Sequence, residues 1–199
     1  MKRLLLTAVV LGLTLTSCKN EKDNKQEELY PEIEDSSAST VGYQHKLTWT
    51  AFKTPEKEGV NGTFDRIELN DVQNTGDILK DIEGATFQIA KSTVNTSDPL
   101  RDGTLNKGFF SVLSGEISGK FVSFEEDKAR VEISMNGVNA TKDFDFTSND
   151  NTLEISGTID IINDFKGEGA FNSIHEMCKD LHFGKTWTDV EIAVEISKR

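Results

Sequence analysis

Three side chains of the kind that bind metal ions lie close together near the C-terminus of the chain. His175, Cys178 and His182 are spaced as positions i, i+3 and i+7, and they include two of the three histidines in the sequence. On an α-helix with 3.6 residues per turn, all three would project from one side. Imidazole and thiolate groups are typical ligands of zinc and copper. The spacing therefore permits a metal or redox site, completed by a fourth ligand from elsewhere in the chain.

The element that must position these side chains is an amphipathic helix, which the sequence predicts over residues 172–183. Ser173 and Glu176 form a capping box that would begin this helix, and Gly184 would end it. Its apolar positions recur at i, i+3, i+4 and i+7 and are occupied by Ile174, Met177, Cys178 and Leu181. The simpler interpretation of the cluster is that Cys178 belongs to this buried stripe while the two histidines flank it.

Most of the chain after residue 40 alternates apolar and polar residues, a pattern that is typical of half-buried β-strands. Pro55 and Gly59 interrupt the first alternating run and predict a hairpin within residues 47–64. Further strands are predicted at residues 63–69, 85–94, 116–124, 129–135, 142–146, 152–162 and 189–196. Residues 97–108 are polar and predict a loop or a single helical turn. Successive short strands of this kind predict an all-β fold, either an antiparallel sandwich or a closed barrel.

Aromatic and branched side chains occupy the positions that would face the interior of such a barrel. An eight-stranded barrel either fills its interior with these side chains or encloses one small ligand, and periodicity does not distinguish the two arrangements. If the interior is a cavity, the predicted ligand-binding residues are Trp49, Phe64, Phe87, Ile89, Phe121, Ile133, Phe144, Ile155, Ile159, Trp187, Ile192 and Val194.

The sequence contains none of the common hydrolase or nucleotide-binding signatures. The patterns G-x-S-x-G and H-E-x-x-H are absent, as is a glycine-rich phosphate-binding loop. The carboxylates on the predicted strands alternate toward solvent, whereas a catalytic acid requires an apolar cleft. The sequence therefore predicts a protein that is not an enzyme and that needs no catalytic cofactor.

The N-terminus has the pattern of a bacterial lipoprotein signal peptide. Lys2 and Arg3 precede an apolar run over residues 4–15, which is too short to span a membrane. The sequence Leu-Thr-Ser-Cys that ends at Cys18 resembles a lipobox. We therefore expect cleavage after residue 17, lipidation of Cys18, and a disordered polar tether over residues 18–40 before a domain at residues 41–199. These features predict a membrane-anchored lipoprotein of the bacterial envelope, on the periplasmic or the cell-surface side.

The charge of the chain excludes one class of partner. The formal net charge is −12, and removal of Lys2 and Arg3 with the leader would change it to −14. Nucleic-acid binding requires clustered cations that neutralise phosphates. We therefore expect no nucleic-acid partner.

Several short motifs follow one another along residues 41–197. They are Phe52-Lys53, residues 59–64 (GVNGTF), Val94-Asn95-Thr96, Arg101-Asp102, Leu105, Phe109-Phe110, Asn136-Gly137-Val138, Thr141-Lys142, residues 161–165 and residues 189–196. In this order they resemble the motifs of the YceI-like family, the periplasmic polyisoprenoid-binding proteins. The sequence departs from the family where Gly103-Thr104 replaces a Lys-His pair and where Lys166 extends an Asp-Phe-Gly turn.

The resemblance implies a fold and a function. The implied fold is an antiparallel, eight-stranded, lipocalin-like barrel with one or two short helices. The implied function is non-catalytic storage or carriage of a polyisoprenoid or similar amphiphilic lipid, whose polar head would sit at the mouth near Arg101 and Asp102. An internal ion pair between these two residues is the other role we expect for them. A metal-binding or redox-stress protein that uses the cluster His175, Cys178 and His182 is the alternative, and the sequence leaves open whether the chain forms a homodimer.

Overall fold

A computed structural model describes residues 42–199, and the predicted signal peptide and the whole predicted tether, with Cys18, lie outside these residues. The strands are β1 Tyr43–Lys53, β2 Glu58–Phe64, β3 Ile67–Asn70, β4 Thr86–Ile89, β5 Val94–Asn95, β6 Ile117–Glu125, β7 Lys128–Met135, β8 Val138–Ser148, β9 Thr152–Asp160 and β10 Thr186–Lys198. The helices are α1 Ile78–Ile82, α2 Pro99–Leu105 and α3 Glu168–Cys178, with a 3-10 turn at Lys91–Thr93 and a π-helical turn at Asn106–Phe110.

The ten strands form one antiparallel sheet that closes into a barrel. Their order is β3-β4-β6-β7-β8-β9-β10-β1-β2-β5. Only Asp65 and Arg66 separate β2, which pairs with β1, from β3, which pairs with β4. The continuous segment 58–70 therefore joins the two ends of the sheet. Strands β4 and β5 are likewise separated only by one short turn, and both pair with this segment. If β2 and β3 are counted as one kinked strand, and β4 and β5 as another, the ten strands become the eight strands of the predicted lipocalin-like barrel.

The two kinks keep their backbone groups hydrogen-bonded. The amide of Asp65 donates to the carbonyl of Thr93 (2.9 Å), and the amide of Ala90 donates to the carbonyl of Arg66 (3.1 Å). The amide of Arg66 donates to the Thr93 hydroxyl (3.1 Å). The breaks that raise the strand count from eight to ten therefore bend the strands without opening the barrel, as β-bulges do.

One end of the barrel is closed by α1 and a buried carboxylate. Tyr43, at the start of β1, donates its hydroxyl to Asp81 (2.6 Å), and Thr75 donates both its amide (2.5 Å) and its hydroxyl (2.6 Å) to the same side chain. Asp81 is only 1% exposed. Burial raises the pKa of Asp81, but the hydrogen bonds from Thr75 and Tyr43 outweigh it and hold the pKa below its usual value.

The other end of the barrel carries α2, the π-helical turn and α3. Residues 97–108 are thus more helical than expected. The Asp98 side chain caps α2 by accepting hydrogen bonds from the amides of Leu100 (3.0 Å) and Arg101 (3.2 Å). Pro99 occupies the first helical position. Gly108 permits close packing on α3, since an added Cβ would lie 2.6 Å from Sδ of Met177.

The predicted boundaries of the C-terminal helix are wrong by four to five residues at each end. Helix α3 begins after Gly167 rather than at a capping box of Ser173 and Glu176, and it ends at Cys178. Its buried residues are Ala170, Ile174 and Cys178, at spacings of four. The apolar stripe therefore runs toward the N-terminus, and Leu181 lies in a turn beyond the helix. None of the helices in the described part of the chain has the length and apolar composition needed to span a membrane.

All the strands, helices and core residues described above lie within residues 42–199, and the strand pairings close on themselves. This segment therefore contains a complete fold with its own hydrophobic core.

The Asp81 carboxylate gives a testable pH dependence of stability. We expect Asp81→Asn to lower the free energy of unfolding of residues 42–199 by about 1.5–3 kcal/mol at pH 7, because it disrupts hydrogen bonds to a buried charged group. The folded-state pKa of Asp81 is depressed, so its contribution is present above the unfolded pKa of about 4 and is lost as the pH falls through the folded pKa. Urea unfolding at pH 7 and pH 3 should show the difference between the two proteins shrinking in acid. The exposed Asp145→Asn serves as the control, and an equal effect of both variants at pH 7 would contradict the role of burial.

Candidate functional site

The interior of the barrel is a cavity of about 620 Å³ with a mostly apolar wall. The wall includes all twelve residues that the sequence analysis proposed for ligand binding: Trp49, Phe64, Phe87, Ile89, Phe121, Ile133, Phe144, Ile155, Ile159, Trp187, Ile192 and Val194. The barrel is therefore lined rather than filled, and contact of these residues with a ligand stays a prediction.

The cavity reaches the surface at the end that carries the helices. Leu100 of α2 and Leu181, in the turn after α3, belong to the cavity wall although their side chains are mostly exposed to solvent. The residues of α1 do not line the cavity, and Ile78 and Ile82 are buried against the opposite end. The site is thus a pocket with a mouth between α2 and the turn that follows α3.

Three glycines allow large aromatic rings to lie flat against the wall. An added Cβ at Gly62 would lie 2.1 Å from Cζ2 of Trp49, and one at Gly157 would lie 2.5 Å from Cδ1 of Phe144. Gly119 stands in the same relation to Phe87, at 2.3 Å from Cζ. Each ring covers the backbone of a neighbouring strand where no side chain intervenes. The space along the barrel axis is therefore kept free, although aromatic residues line much of the wall.

Two histidines at the mouth share one hydroxyl group. The Nδ1 atoms of His175 and His182 lie 3.1 Å and 3.2 Å from Oγ1 of Thr186, at the start of β10. Because a hydroxyl has one hydrogen, Thr186 donates to one imidazole and accepts from the other. Burial, Lys53 and His175 together lower the pKa of His182, so this imidazole is neutral at pH 7.

The predicted metal-binding arrangement of His175, Cys178 and His182 is not supported. Within residues 42–199, no group of three histidine, cysteine, aspartate or glutamate residues is placed to hold a metal ion. Cys178 is buried, and burial raises the pKa of its thiol, which disfavours the thiolate that metals require. The helical spacing fails because α3 ends at Cys178, which leaves His182 in a turn where the 3.6-residue period no longer applies.

The expected ion pair between Arg101 and Asp102 is also wrong. Arg101 lies 3.5 Å from the carboxylate of Asp98, three residues earlier at the N-cap of α2. Asp102 accepts from both the amide (2.8 Å) and the hydroxyl (2.7 Å) of Thr96. Adjacent residues on a helix point in different directions, whereas residues three apart are neighbours, which accounts for the observed pairing. Arg101 lines the mouth of the cavity, and Lys53 of β1 lies on the rim with it.

The helical part of the cavity wall is not among the ligand-binding residues predicted from the sequence. Leu105 of α2 and Ile174 of α3 line the cavity with Phe171 and Leu100. The dipeptide Asp98-Pro99 is a helix-start signal that predicts α2. No local signal indicates that α2 and α3 would lie together over the same end of the barrel, because that contact joins residues far apart in the sequence.

The wall glycines provide a test of cavity shape. We expect Gly157→Ala to turn the Phe144 ring into the cavity and to weaken binding of a long-chain fluorescent probe roughly tenfold, equivalent to about two lost methylene contacts at ~0.8 kcal/mol each. Gly103→Ala on α2 is the matched control, because an added Cβ there meets nothing within 4 Å. Probe titration measures both affinities. Replacing Phe144 by Leu in the Gly157→Ala background should restore binding, and unchanged affinity in Gly157→Ala would contradict the proposed packing.

Solved structures with a similar architecture are found by comparison with known proteins. No protein-family model matches the sequence, and a search of curated proteins found no significant match. A polyisoprenoid binding domain from Saccharophagus degradans, implicated in plant cell wall breakdown, superposes with a TM-score of 0.56 at 12% identity, over 79% of this chain and 98% of that domain. BcnA from Burkholderia cenocepacia superposes with a TM-score of 0.50 at 14% identity, over 76% of this chain and 94% of BcnA.

A third solved structure carries the family name that the sequence motifs suggested. The YceI protein of Campylobacter jejuni superposes with a TM-score of 0.51 at 15% identity, over 71% of this chain and 86% of that protein. At such low identity the likeness establishes the fold. The described part of the chain therefore has the lipocalin-like barrel fold of the solved YceI and polyisoprenoid-binding structures, as the sequence motifs predicted.

Proposed function

We propose that the barrel binds the apolar part of an amphiphilic lipid, of polyisoprenoid or similar type, and that it acts without chemical change to this ligand. The observation that carries the proposal is the open, apolar cavity of about 620 Å³ inside the barrel. Ligand sites in proteins commonly have volumes of about 300–1,000 Å³ and mostly apolar walls. A cavity so poor in polar groups suits a hydrocarbon chain rather than a sugar, a nucleotide or a peptide.

The energetics of such a cavity favour long chains. Each buried methylene contributes about 0.8 kcal/mol, so a dozen would contribute roughly 10 kcal/mol. Association costs about 4–15 kcal/mol in lost freedom of motion. A short chain therefore gains too little to bind, whereas a long chain binds without specific polar contacts. The ligand would be selected by length and shape.

The polar head of the ligand would sit at the mouth. The two histidines there are engaged by Thr186, and Asp102 is engaged by Thr96. Lys53 and Arg101 line the mouth with partly exposed side chains, each near a carboxylate at 3.5 Å or more. These two cations are the groups that could contact a polar head without losing a closer partner.

The comparison with solved structures supports a polyisoprenoid as the candidate ligand. The similar domain from Saccharophagus degradans is named a polyisoprenoid binding domain. The motifs of the present sequence resemble the same family over residues 41–197. We therefore propose a prenyl chain as the first ligand to test, with a fatty acyl chain of similar length as the comparison.

Native mass spectrometry of residues 42–199, purified from bacteria and then incubated with a C20 prenol, tests the proposal. We expect a bound lipid in the wild-type domain and loss of at least nine-tenths of it in Val194→Trp, because an indole at this wall position projects into the space that the lipid chain would occupy. Glu195→Trp is the matched control, since the next residue of β10 faces solvent and the same bulk there should leave binding intact.

Two results would contradict lipid binding. One is a wild-type domain that neither co-purifies with a lipid nor takes up the prenol. The other is equal binding by Val194→Trp and Glu195→Trp, which would place the lipid outside the barrel. Circular dichroism and thermal melting of both variants establish that each remains folded.

We further propose that the protein works in the bacterial envelope as a lipoprotein acylated at Cys18. The support is the positively charged start, the apolar run of residues 4–15 and the Leu-Thr-Ser-Cys sequence that ends at Cys18. Stable anchoring requires more than one acyl chain, as a diacylglyceryl-modified cysteine provides. A carrier anchored in this way would remain close to the membrane in which its ligand dissolves.

Metabolic labelling with a palmitate analogue tests the anchor. We expect the full chain expressed in a Gram-negative bacterium to incorporate the label and to fractionate with membranes, and we expect Cys18→Ala to lose both properties. Cys178→Ala is the matched control and should label like the wild type, because Cys178 is buried in the folded domain. Label that persists in Cys18→Ala would contradict the assignment.

A further inference from the structure

The helical end of the domain exposes an unusual concentration of large apolar side chains. Within residues 42–199, six large hydrophobic side chains are exposed, and five of them lie on α2, on α3 or in the turns after the π-helical turn and α3: Leu100, Val112, Met177, Leu181 and Phe183. The sixth, Val122, lies on β6 in the barrel wall. Large exposed apolar patches on soluble domains mark sites of interaction.

The most exposed of these residues border the mouth of the cavity. Leu100, Leu181 and Phe183 are 85%, 76% and 78% exposed, and the first two also belong to the cavity wall. The apolar interior is therefore continuous with an apolar outer surface. We call Leu100, Leu181 and Phe183 the rim triad.

The backbone holds Phe183 outward at an energetic cost. Its φ angle is +50°, in the left-handed region that bulky residues rarely adopt, and Gly184 follows at +74°. Hydrogen bonds from the amide of Gly184 to the carbonyl of Lys179 (2.7 Å) and from the amide of Lys185 to the carbonyl of His182 (3.0 Å) fix this turn. Folding thus places a largely exposed aromatic ring beside the mouth.

We propose that the rim triad inserts into the surface of a phospholipid bilayer, so that a lipid passes between the bilayer and the cavity without crossing water. This inference rests on the proposed binding of an amphiphilic lipid. A hydrocarbon chain that leaves a bilayer through water would expose each methylene at about 0.8 kcal/mol. A mouth seated in the bilayer removes this barrier, and Leu100 and Leu181 provide the apolar path from one compartment to the other.

Apolar contact rather than charge should carry the docking. Two cations near the mouth have acidic neighbours, in the pairs Lys53–Glu58 (3.7 Å) and Arg101–Asp98 (3.5 Å), and Lys185 lies over the Trp187 ring (4.3 Å). The whole chain has a formal net charge of −12. Anionic headgroups would therefore gain little from this surface. The occupant that fits is a bilayer of zwitterionic phospholipid.

The length of chain before the barrel permits this orientation. Tyr43 and α1 lie at the closed end, so the mouth faces away from the end at which the chain enters β1. The eleven residues of β1 span roughly 35 Å at about 3.3 Å per residue. Residues 19–41 can extend to about 80 Å at 3.3–3.6 Å per residue. A domain anchored through Cys18 could therefore turn its mouth to the same bilayer.

Vesicle flotation of residues 42–199 tests the proposal. With phosphatidylcholine vesicles we expect the wild-type domain to float, and we expect Leu100→Ser/Leu181→Ser/Phe183→Ser to bind at least tenfold more weakly. Val122→Ser is the matched control, since it removes an exposed apolar side chain of the barrel wall and should bind like the wild type. Transfer of a fluorescent prenol from vesicles to the domain should slow by a similar factor in the triple variant only.

The outcomes separate docking from ligand binding. If the wild-type domain does not float, or if the triple variant floats equally well, bilayer docking is overturned even when native mass spectrometry still finds a lipid in the cavity. If no lipid is found in any of the proteins, the proposed function itself fails. If the triple substitution instead converts a dimer to a monomer in size-exclusion chromatography, the rim triad contacts a second copy of the chain and the bilayer proposal is overturned.

Discussion

Closure of the sheet through the continuous segment 58–70 is the constraint on which the rest of this structure depends. The first half of this segment pairs with β1 and the second half with β4, so the sheet has no free long edge and the interior is sealed from the sides. Strand pairing satisfies the hydrogen-bonding groups of the backbone, so only side chains line the interior. Access to that interior is then decided at the two ends of the barrel.

The two ends differ in the kind of interaction that holds them. The closed end is held by a buried polar network, in which Tyr43 and Thr75 hydrogen-bond to the carboxylate of Asp81. The open end is covered by α2 and α3, whose exposed apolar residues would be unfavourable in water unless another apolar surface met them. The closed end is thus held by buried polar contacts, whereas the mouth is suited to an apolar environment.

The side chains leave a cavity in the interior for a steric reason that is local. Trp49, Phe87 and Phe144 are large enough to obstruct the barrel, yet each ring packs onto a glycine of a neighbouring strand. Close packing at the wall therefore coexists with a cavity at the axis. The histidine and cysteine cluster also has a packing role in this structure: Cys178 is buried, and the rings of His175 and His182 both hydrogen-bond to the Thr186 hydroxyl.

The sequence by itself determined the strand pattern, the inward direction of the twelve wall residues and the resemblance that implied a lipocalin-like barrel. Alternation along strands such as β9 depends only on the two-residue period of extended chain, so it can be read locally. Only the tertiary structure decided that the barrel is hollow, because ring packing onto Gly62, Gly119 and Gly157 joins residues on different strands. The tertiary structure also decided the position and the hydrogen bond of His182, because the end of α3 at Cys178 and the contact with Thr186 arise from packing over the mouth. A local sequence pattern predicts a structural feature when the contacts that determine it join residues near in the sequence. It fails when those residues are near only in space.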